Sequence, residues 1–224
     1  MKSGGLVLNK VRAVFEKRGR AKYISHLDLN RCMQRTFKRS GLPVWYTEGF
    51  NPHIYIMFAL PLSLGYESSV EIMDFNLTEE VPFEEVKEKL NKVMPEGIKI
   101  VKIYTPETKH TAIKYADFKI TFKGIGSELQ SEFRRFMEQE QINTVKKTKR
   151  KGEKLIDLKP DIKIISEEFQ DGRFVLVLRL PAGTEKNINP SLVTDLFVPF
   201  CCTDVEIESV ERIAVISEKN EDFL

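Results

Sequence analysis

The fold is decided by residues 9–41, which read NKVRAVFEKRGRAKYISHLDLNRCMQRTFKRSG. Apolar and charged side chains are interspersed over the first nine of these residues, which predicts a strand. Ser25 is a typical helix N-cap, and Asp28 three residues later completes a capping-box pattern. Gly41 suits the left-handed residue that ends many helices. The pattern therefore predicts a helix over residues 26–40.

The predicted helix has an apolar face and a basic face. Leu29, Met33 and Phe37 recur every four residues and form the apolar face. The basic face carries Arg31, Arg35, Lys38 and Arg39, and the preceding turn adds Arg18, Arg20 and Lys22. Exposed helix faces ordinarily mix charge signs for pairing along the helix, but this helix has only Asp28. We interpret the face and the turn as a phosphate-binding surface, with an ordinary solvated face as the alternative.

Charge is distributed unevenly along the chain, although the net charge is only +2. Residues 10–41 hold ten Lys and Arg against Glu16 and Asp28. Residues 67–96 hold nine Asp and Glu against three Lys. The asymmetry predicts one basic face and one acidic face rather than a uniform surface.

The order of predicted elements gives the fold class. After the first strand and helix come further strands, a second helix and a last strand, which is the split βαβ or ferredoxin-like order. The second half repeats this order less cleanly. We predict an α+β fold of tandem ferredoxin-like domains with antiparallel sheets. The predicted domains are residues 1–105 and 112–216, and residues 217–224 are predicted to be a frayed tail.

Several classes of protein are not expected from this sequence. The start of the chain does not read as a signal peptide, and no apolar run is long enough to span a membrane. Cys32, Cys201 and Cys202 fit neither a disulfide framework nor a metal motif, which favours reduced thiols in a cytoplasmic protein. Neither a dinucleotide fingerprint nor a Walker loop is present, and the chain has three histidines. We therefore predict neither a metal nor a cofactor.

Two short segments offer candidate functional side chains in the first domain. His26 lies at the predicted helix start beside the basic turn, where it could contact a phosphate or act as an acid or base. The alternative is that the cap explains its neighbours while His26 packs locally. Asn51 and His53 belong to a Gly-Phe-Asn-Pro-His turn, where they touch substrate or only shape the turn.

A second basic run and several aromatic residues complete the set of candidates. The run comprises Lys146, Lys147, Lys149, Arg150 and Lys151, and it has no apolar periodicity. It is interpreted either as a flexible RNA-contacting loop or as a solvated loop. Trp45, Tyr46, Phe50 and Tyr55 are candidate stacking platforms for bases, with burial in the core as the alternative.

Residues 12–77 contain a set of positions that recur together in fixed order, namely Arg12, Phe15, Lys17, Tyr23-Ile24-Ser25-His26-Leu27-Asp28, Arg31, Arg35, Arg39, Gly41-Leu42-Pro43, Gly49-Phe50-Asn51-Pro52-His53, Phe58-Ala59-Leu60-Pro61-Leu62 and Gly65. The resemblance that these residues carry is to the radical-SAM-linked protein family, a family without an assigned activity. In the second domain it rests on Asp157-Leu158-Lys159-Pro160 and Asn189-Pro190. The layout is also similar, in architecture alone, to the RAMP superfamily of CRISPR RNA-binding proteins.

The resemblance implies a function that the residues by themselves do not fix. Members of the family occur alone or fused behind a cobalamin-binding radical SAM enzyme. The chain lacks a cysteine motif for a radical SAM cluster, so any such chemistry would belong to a partner. We predict an RNA-binding accessory protein that works with a separate radical SAM enzyme in RNA modification. The alternatives are a metal-independent endoribonuclease that uses His26, and a protein-binding adaptor that docks a radical SAM enzyme through the acidic face.

Overall fold

The computed structural model describes residues 8–123, 126–147 and 152–224. The chain divides into two compact units, of which unit 1 ends at Ala112 and unit 2 comprises Ile113–Phe223. Both units combine helices with antiparallel strands. The predicted α+β class is therefore confirmed.

Unit 1 contains the fold-deciding stretch. Its elements are β1 (Asn9–Lys17), α1 (His26–Ser40), β2 (Ile56–Phe58), β3 (Glu67–Leu77), α2 (Phe83–Val93) and β4 (Ile98–Tyr104). The strands lie in the order β4-β1-β3-β2, and each neighbouring pair is antiparallel. β1 and β3 are the central strands, because both edges of each are hydrogen-bonded.

The core of unit 1 lies between the sheet and its two helices. Leu29, Met33 and Phe37 of α1 are buried, as their spacing predicts, and Phe37 packs on Phe75 of β3 with ring centroids 4.7 Å apart. Val86 and Leu90 of α2 join the same cluster. Fully burying one such aliphatic or aromatic side chain stabilises the fold by about 1.5–3 kcal/mol. The apolar face of α1 is therefore fixed against the sheet, and its basic face is left outside.

Both ends of α1 are those that the sequence predicts. The Ser25 hydroxyl accepts a hydrogen bond from the Asp28 backbone N–H at 3.1 Å. Gly41 has φ of 68°, a left-handed conformation in which a side chain would be strained. The helix boundaries predicted from these two residues are confirmed.

Unit 2 contains the remaining helices and strands of the described residues. They are β5 (Ile113–Lys123), α3 (Gly126–Glu138), β6 (Asn143–Lys147), β7 (Glu153–Asp157), β8 (Lys163–Gln170), β9 (Arg173–Pro181), α4 (Pro190–Phe200) and β10 (Glu206–Ser217). The sheet has the order β10-β5-β9-β8, while β6 and β7 form a separate two-stranded sheet. A cluster of phenylalanines fills the core, with Phe197 packed edge-on to Phe133 and Phe122 at centroid distances of 5.0 and 5.6 Å.

The two units share a strand order. When the four sheet strands of each unit are numbered along the chain, both sheets have the order 4-1-3-2. This is the order expected for a split βαβ unit. The tandem ferredoxin-like description stays an interpretation of these strand orders.

In the sheet of each unit, an ion pair joins two neighbouring strands. In unit 1, Arg12 of β1 donates to both carboxylate oxygens of Asp74 on β3, at 2.6 and 2.8 Å. In unit 2, Arg179 of β9 donates to both oxygens of Asp117 on β5, at 2.7 and 2.9 Å. Burial by itself would lower the pKa of Arg12, but the hydrogen bond and charge of Asp74 outweigh this effect and raise the pKa above its usual value.

Three details differ from the sequence predictions. The basic run was predicted as a loop, but Lys146 and Lys147 lie in strand β6, paired with β7. The first predicted domain ends at residue 105, whereas the compact unit continues to Ala112, and Arg12 donates to the Thr108 carbonyl at 3.0 Å. The tail is ordered rather than frayed, because Phe223 is buried and its N–H bonds the Val215 carbonyl at 2.9 Å.

Candidate nucleic-acid interface

The outer face of α1 carries the basic residues that the sequence places there. With 3.6 residues per turn, positions 31, 35, 38 and 39 fall on one side of the helix. All four side chains are exposed, and this face lies away from Leu29, Met33 and Phe37. The structure therefore brings Arg31, Arg35, Lys38 and Arg39 together into one surface, called here the α1 basic face.

The four residues differ in how they are held. Arg31 pairs with Asp28 at 3.2 Å, but both side chains are more than 60% exposed, so the pair is weak. Arg39 donates to the carbonyl of Val93, the last residue of α2, at 3.1 Å. Within the part of the chain that the structure describes, Arg35 and Lys38 have no acidic partner. Two guanidinium groups and one ammonium group on this face are therefore available to an anion.

The turn before α1 extends the basic surface. Arg18 lies 3.7 Å from Glu16, and Lys22 lies 3.9 Å from Glu67, which are distances of loose ion pairs. Arg20 is exposed and has no acidic partner among the described residues. Arg20 is thus the member of this turn with the greatest freedom to bind a phosphate.

The second helix shows what a solvated face looks like in this unit. On α2, Lys87 pairs with Glu84 at 3.5 Å and Lys89 pairs with Glu85 at 2.7 Å. Opposite charges three and four residues apart satisfy one another in this way on ordinary exposed helices. On the α1 basic face, the exposed pair of Arg31 with Asp28 is of this kind, but Arg35 and Lys38 have no such pair among the described residues, which favours the interpretation of this face as a binding surface.

His26 is exposed at the start of α1, where its ring packs edge-on to Phe58 with centroids 5.3 Å apart. The hydrogen bond from Ser25, assisted by Arg31, lowers the pKa of Asp28, so this carboxylate stays ionised and cannot supply a proton near neutral pH. The described residues give His26 no hydrogen-bonded acid or base. This arrangement agrees with local packing and does not form a catalytic pair.

Asn51 and His53 belong to a loop closed by several hydrogen bonds. The Thr47 N–H donates to the His53 carbonyl at 2.8 Å, and the His53 N–H donates to the Thr47 hydroxyl at 3.2 Å. His53 Nδ1 lies 3.0 Å from the carbonyl oxygen of Asn51. The same nitrogen lies 3.1 Å from the Thr47 hydroxyl, so the ring of His53 is held between two groups of the loop.

Gln34 attaches this loop to α1. Its side-chain amide donates to the Ile54 carbonyl at 2.7 Å and accepts from the Ile54 N–H at 3.2 Å. Gln34 lies one helical turn from both Arg31 and Lys38, so the loop base lies beside the α1 basic face. Sequence analysis missed this residue, because no periodicity or motif marks a glutamine that bonds backbone twenty residues away.

The aromatic candidates divide into packed and exposed residues. Trp45 and Tyr55 pack on each other with centroids 5.9 Å apart. Tyr46 is 42% exposed, and Phe50 is fully exposed at the tip of the loop. Of the four residues, Phe50 presents the largest open ring surface.

The second basic run can be placed only in part. Lys146 and Lys147 lie on β6, and Lys146 stands opposite Lys154 of β7 in the register. Lys149, Arg150 and Lys151 lie outside the described residues. Lys146 and Lys147 are in a different compact unit from α1.

The adjacent cysteines after α4 form a further cluster. The Cys202 N–H donates to both carboxylate oxygens of Glu132, at 3.0 and 3.1 Å, and Arg135 lies 3.5 Å from the Cys202 sulfur. Burial, together with a hydrogen bond to Glu132, raises the pKa of Cys201 to about 12. Cys202 is exposed.

We expect Cys201 to react with an alkylating reagent at pH 8 at least tenfold more slowly than Cys202, because the thiolate is the reacting form. Timed labelling with iodoacetamide followed by mass spectrometry measures both rates. A Cys202→Ser variant isolates the slow reaction. Equal labelling of the two residues would contradict the assignment of Cys201 as an unreactive thiol.

A known protein family matches most of the chain. Residues 10–190 match the family described as "Uncharacterized protein conserved in bacteria (DUF2344)". The chain belongs to this family. The matched segment includes α1, its basic face and the Thr47–His53 loop.

Two further results bear on classification. No curated protein matches the chain. Over the described residues, none of the helices is long and apolar enough to cross a membrane.

Proposed function

We propose that this member of the DUF2344 family is an RNA-binding accessory protein that works in the cytoplasm with a separate radical SAM enzyme, in RNA modification. The observation that carries the proposal is the α1 basic face, where exposed Arg31, Arg35 and Lys38 stand with Asp28 as the one acidic residue of the helix. Cationic side chains that neutralise phosphates supply most of the affinity in non-specific nucleic-acid binding.

The identity of the polyanion and of the partner rests on resemblance. RNA is favoured because the tandem architecture is similar to RNA-binding RAMP proteins. The radical SAM enzyme is favoured because the first domain resembles a family found alone or fused to such enzymes. In this proposal the chain positions RNA and the partner supplies the chemistry, so the chain itself needs no catalytic residue.

The test of RNA binding is the dependence of affinity on salt. If about five phosphates of a single strand are neutralised, log K should fall with log salt at a slope of about −3.5. Fluorescence anisotropy of a labelled single-stranded RNA, titrated from about 50 to 200 mM salt, measures this slope. Absence of binding at the lowest salt would remove the proposal.

The second candidate function is a metal-independent endoribonuclease. The observation in its favour is that His26 is exposed at the N-terminus of α1, beside the basic turn, where a phosphate could sit. Against it, His26 packs on Phe58 and lacks a hydrogen-bonded partner among the described residues.

We expect purified protein to cleave no RNA, with or without a chelator, and His26→Ala to change RNA affinity less than about threefold. A real general acid or base would contribute about 10²–10⁴-fold to the rate. Gel analysis of labelled RNA incubated with wild type and with His26→Ala separates the two cases. Chelator-resistant cleavage that is lost in His26→Ala, with binding intact, would make the chain an enzyme.

The third candidate, an adaptor that docks a radical SAM enzyme through the acidic face, makes a different prediction. Its complex should survive treatment with ribonuclease and should depend on acidic residues of unit 1 rather than on the α1 basic face. A complex that falls apart when RNA is digested would instead agree with the accessory role.

A further inference from the structure

We propose that the loop Thr47–His53 is a stacking platform for one unpaired base, so that the α1 basic face takes single-stranded RNA in preference to duplex. This inference rests on the proposed function and specifies its substrate. The residue that carries the stacking is Phe50. The loop presents the base-binding ring, while α1 provides the phosphate contacts beside it.

The first observation is the exposure of Phe50. Its relative exposure is 105%, so the side chain gains nothing from packing within unit 1. The residues around it, Glu48, Gly49, Asn51 and Pro52, are also exposed. An aromatic ring that is bare on both faces contributes little to folding, and both faces are available to a flat apolar partner.

The second observation is that the loop is held in place without Phe50. Two hydrogen bonds join Thr47 and His53, one from the Thr47 N–H to the His53 carbonyl and one from the His53 N–H to the Thr47 hydroxyl. His53 Nδ1 also lies 3.0 Å from the Asn51 carbonyl oxygen. Gly49 has φ of 116°, a conformation that L side chains rarely adopt. Such pre-organisation reduces the entropy that is lost when a ligand orders the loop.

The third observation is the attachment of the loop to the basic helix. Gln34 bonds both backbone groups of Ile54, directly after His53, and lies one turn from Arg31 and Lys38. A nucleotide chain whose phosphates contact Arg31 and Lys38 therefore runs past the end of the loop that Gln34 attaches to α1. The ring and the cations can therefore act on one strand of RNA.

The chemistry selects an unpaired base. Within a duplex, both faces of each base are covered by neighbouring bases, so a protein ring cannot stack without unstacking the helix. Single strands offer free faces, and aromatic stacking of this kind tolerates any base. Loss of one such contact weakens binding by about 5- to 100-fold.

The test compares Phe50 variants on single-stranded and duplex RNA of one sequence, with the wild-type chain as reference. Phe50→Ala and Phe50→Leu should each weaken single-strand binding by about 5- to 100-fold, whereas Phe50→Trp should retain it. The salt slope should stay unchanged because no charge is removed, and duplex affinity should change less than about twofold. Phe169→Ala is the matched control, since Phe169 is an exposed phenylalanine in unit 2.

A spectroscopic readout separates stacking from general apolar contact. A single-stranded RNA that contains 2-aminopurine should change fluorescence on binding wild type, and this change should be absent with Phe50→Leu. Full affinity in Phe50→Leu, or equal losses on single strand and duplex, would overturn the inference while leaving the salt-dependent binding of the proposed function intact. Failure of the wild-type chain to bind either RNA would overturn both.

Discussion

Replacing Arg31, Arg35 and Lys38 together by Ala is expected to weaken single-stranded RNA binding about 100-fold at about 0.1 M salt. Each phosphate contact on a single strand contributes about 0.7 to the salt slope, so three lost contacts reduce the slope by about 2. At about 1 M salt the electrostatic contribution vanishes, so wild type and variant should bind equally there. Because their slopes differ by about 2, their affinities should differ about 100-fold when the salt concentration is tenfold lower, at about 0.1 M. Anisotropy titrations at several salt concentrations measure both quantities.

The matched control removes three charges from the neighbouring helix. Lys87, Lys89 and Lys92 of α2 replaced by Ala change the net charge by the same amount, but Lys87 and Lys89 are already paired with Glu84 and Glu85. We expect less than a threefold loss of affinity from this control. Arg39 is left out of the test set because it donates to the Val93 carbonyl, so its removal would also disturb the end of α2.

If both triple variants lose affinity equally, binding depends on net charge and the α1 basic face has no special role. If neither loses affinity, the proposed RNA surface is wrong. Circular dichroism on both variants checks that the helices remain folded, since all six positions are on helix surfaces that are at least partly exposed.

Replacing Asp74 by Ala is expected to reduce the free energy of unfolding by about 3–5 kcal/mol. The Arg12 side chain is 1% exposed and donates two hydrogen bonds to Asp74, whose side chain is 16% exposed. Without the carboxylate, the buried guanidinium keeps its contacts with the Thr108 carbonyl and with Tyr104 but loses the counter-charge of Asp74. Breaking one partner of a buried pair is costly because the remaining charge is left uncompensated.

The measurement is urea unfolding followed by the fluorescence of Trp45, the single tryptophan of the chain, which lies in unit 1. Glu85→Ala is the control, because its pair with Lys89 is exposed on both sides and should be worth less than about 0.5 kcal/mol. The double variant Arg12→Met, Asp74→Leu should recover at least half of the loss, since apolar residues can replace a buried ion pair. A loss below about 1 kcal/mol for Asp74→Ala would show that the Arg12 charge is compensated elsewhere.

The elements that sequence analysis predicted correctly are those fixed by neighbouring residues. Ser25 caps α1 through the Asp28 backbone, and Gly41 ends it with a positive φ, so both boundaries depend on contacts a few residues apart. The turn between β8 and β9 is likewise local, because Asp171 and Gly172 both have positive φ, as a two-residue turn of type I′ requires. The basic face of α1 follows from helical periodicity once the apolar face is buried.

The remaining features depend on residues that are distant in sequence. The lysine-rich β6 lacks apolar alternation, and it is a strand because β7 supplies its hydrogen-bonding partner. The position of Arg12 beside Asp74 joins residues 62 apart, and the Gln34 bonds to Ile54 span twenty. The sequence alone determined the caps, periodicities and turns, because these are local interactions. Tertiary structure alone decided which charges are buried and which loop lies beside α1, because those depend on strand pairing and packing between elements far apart in the chain.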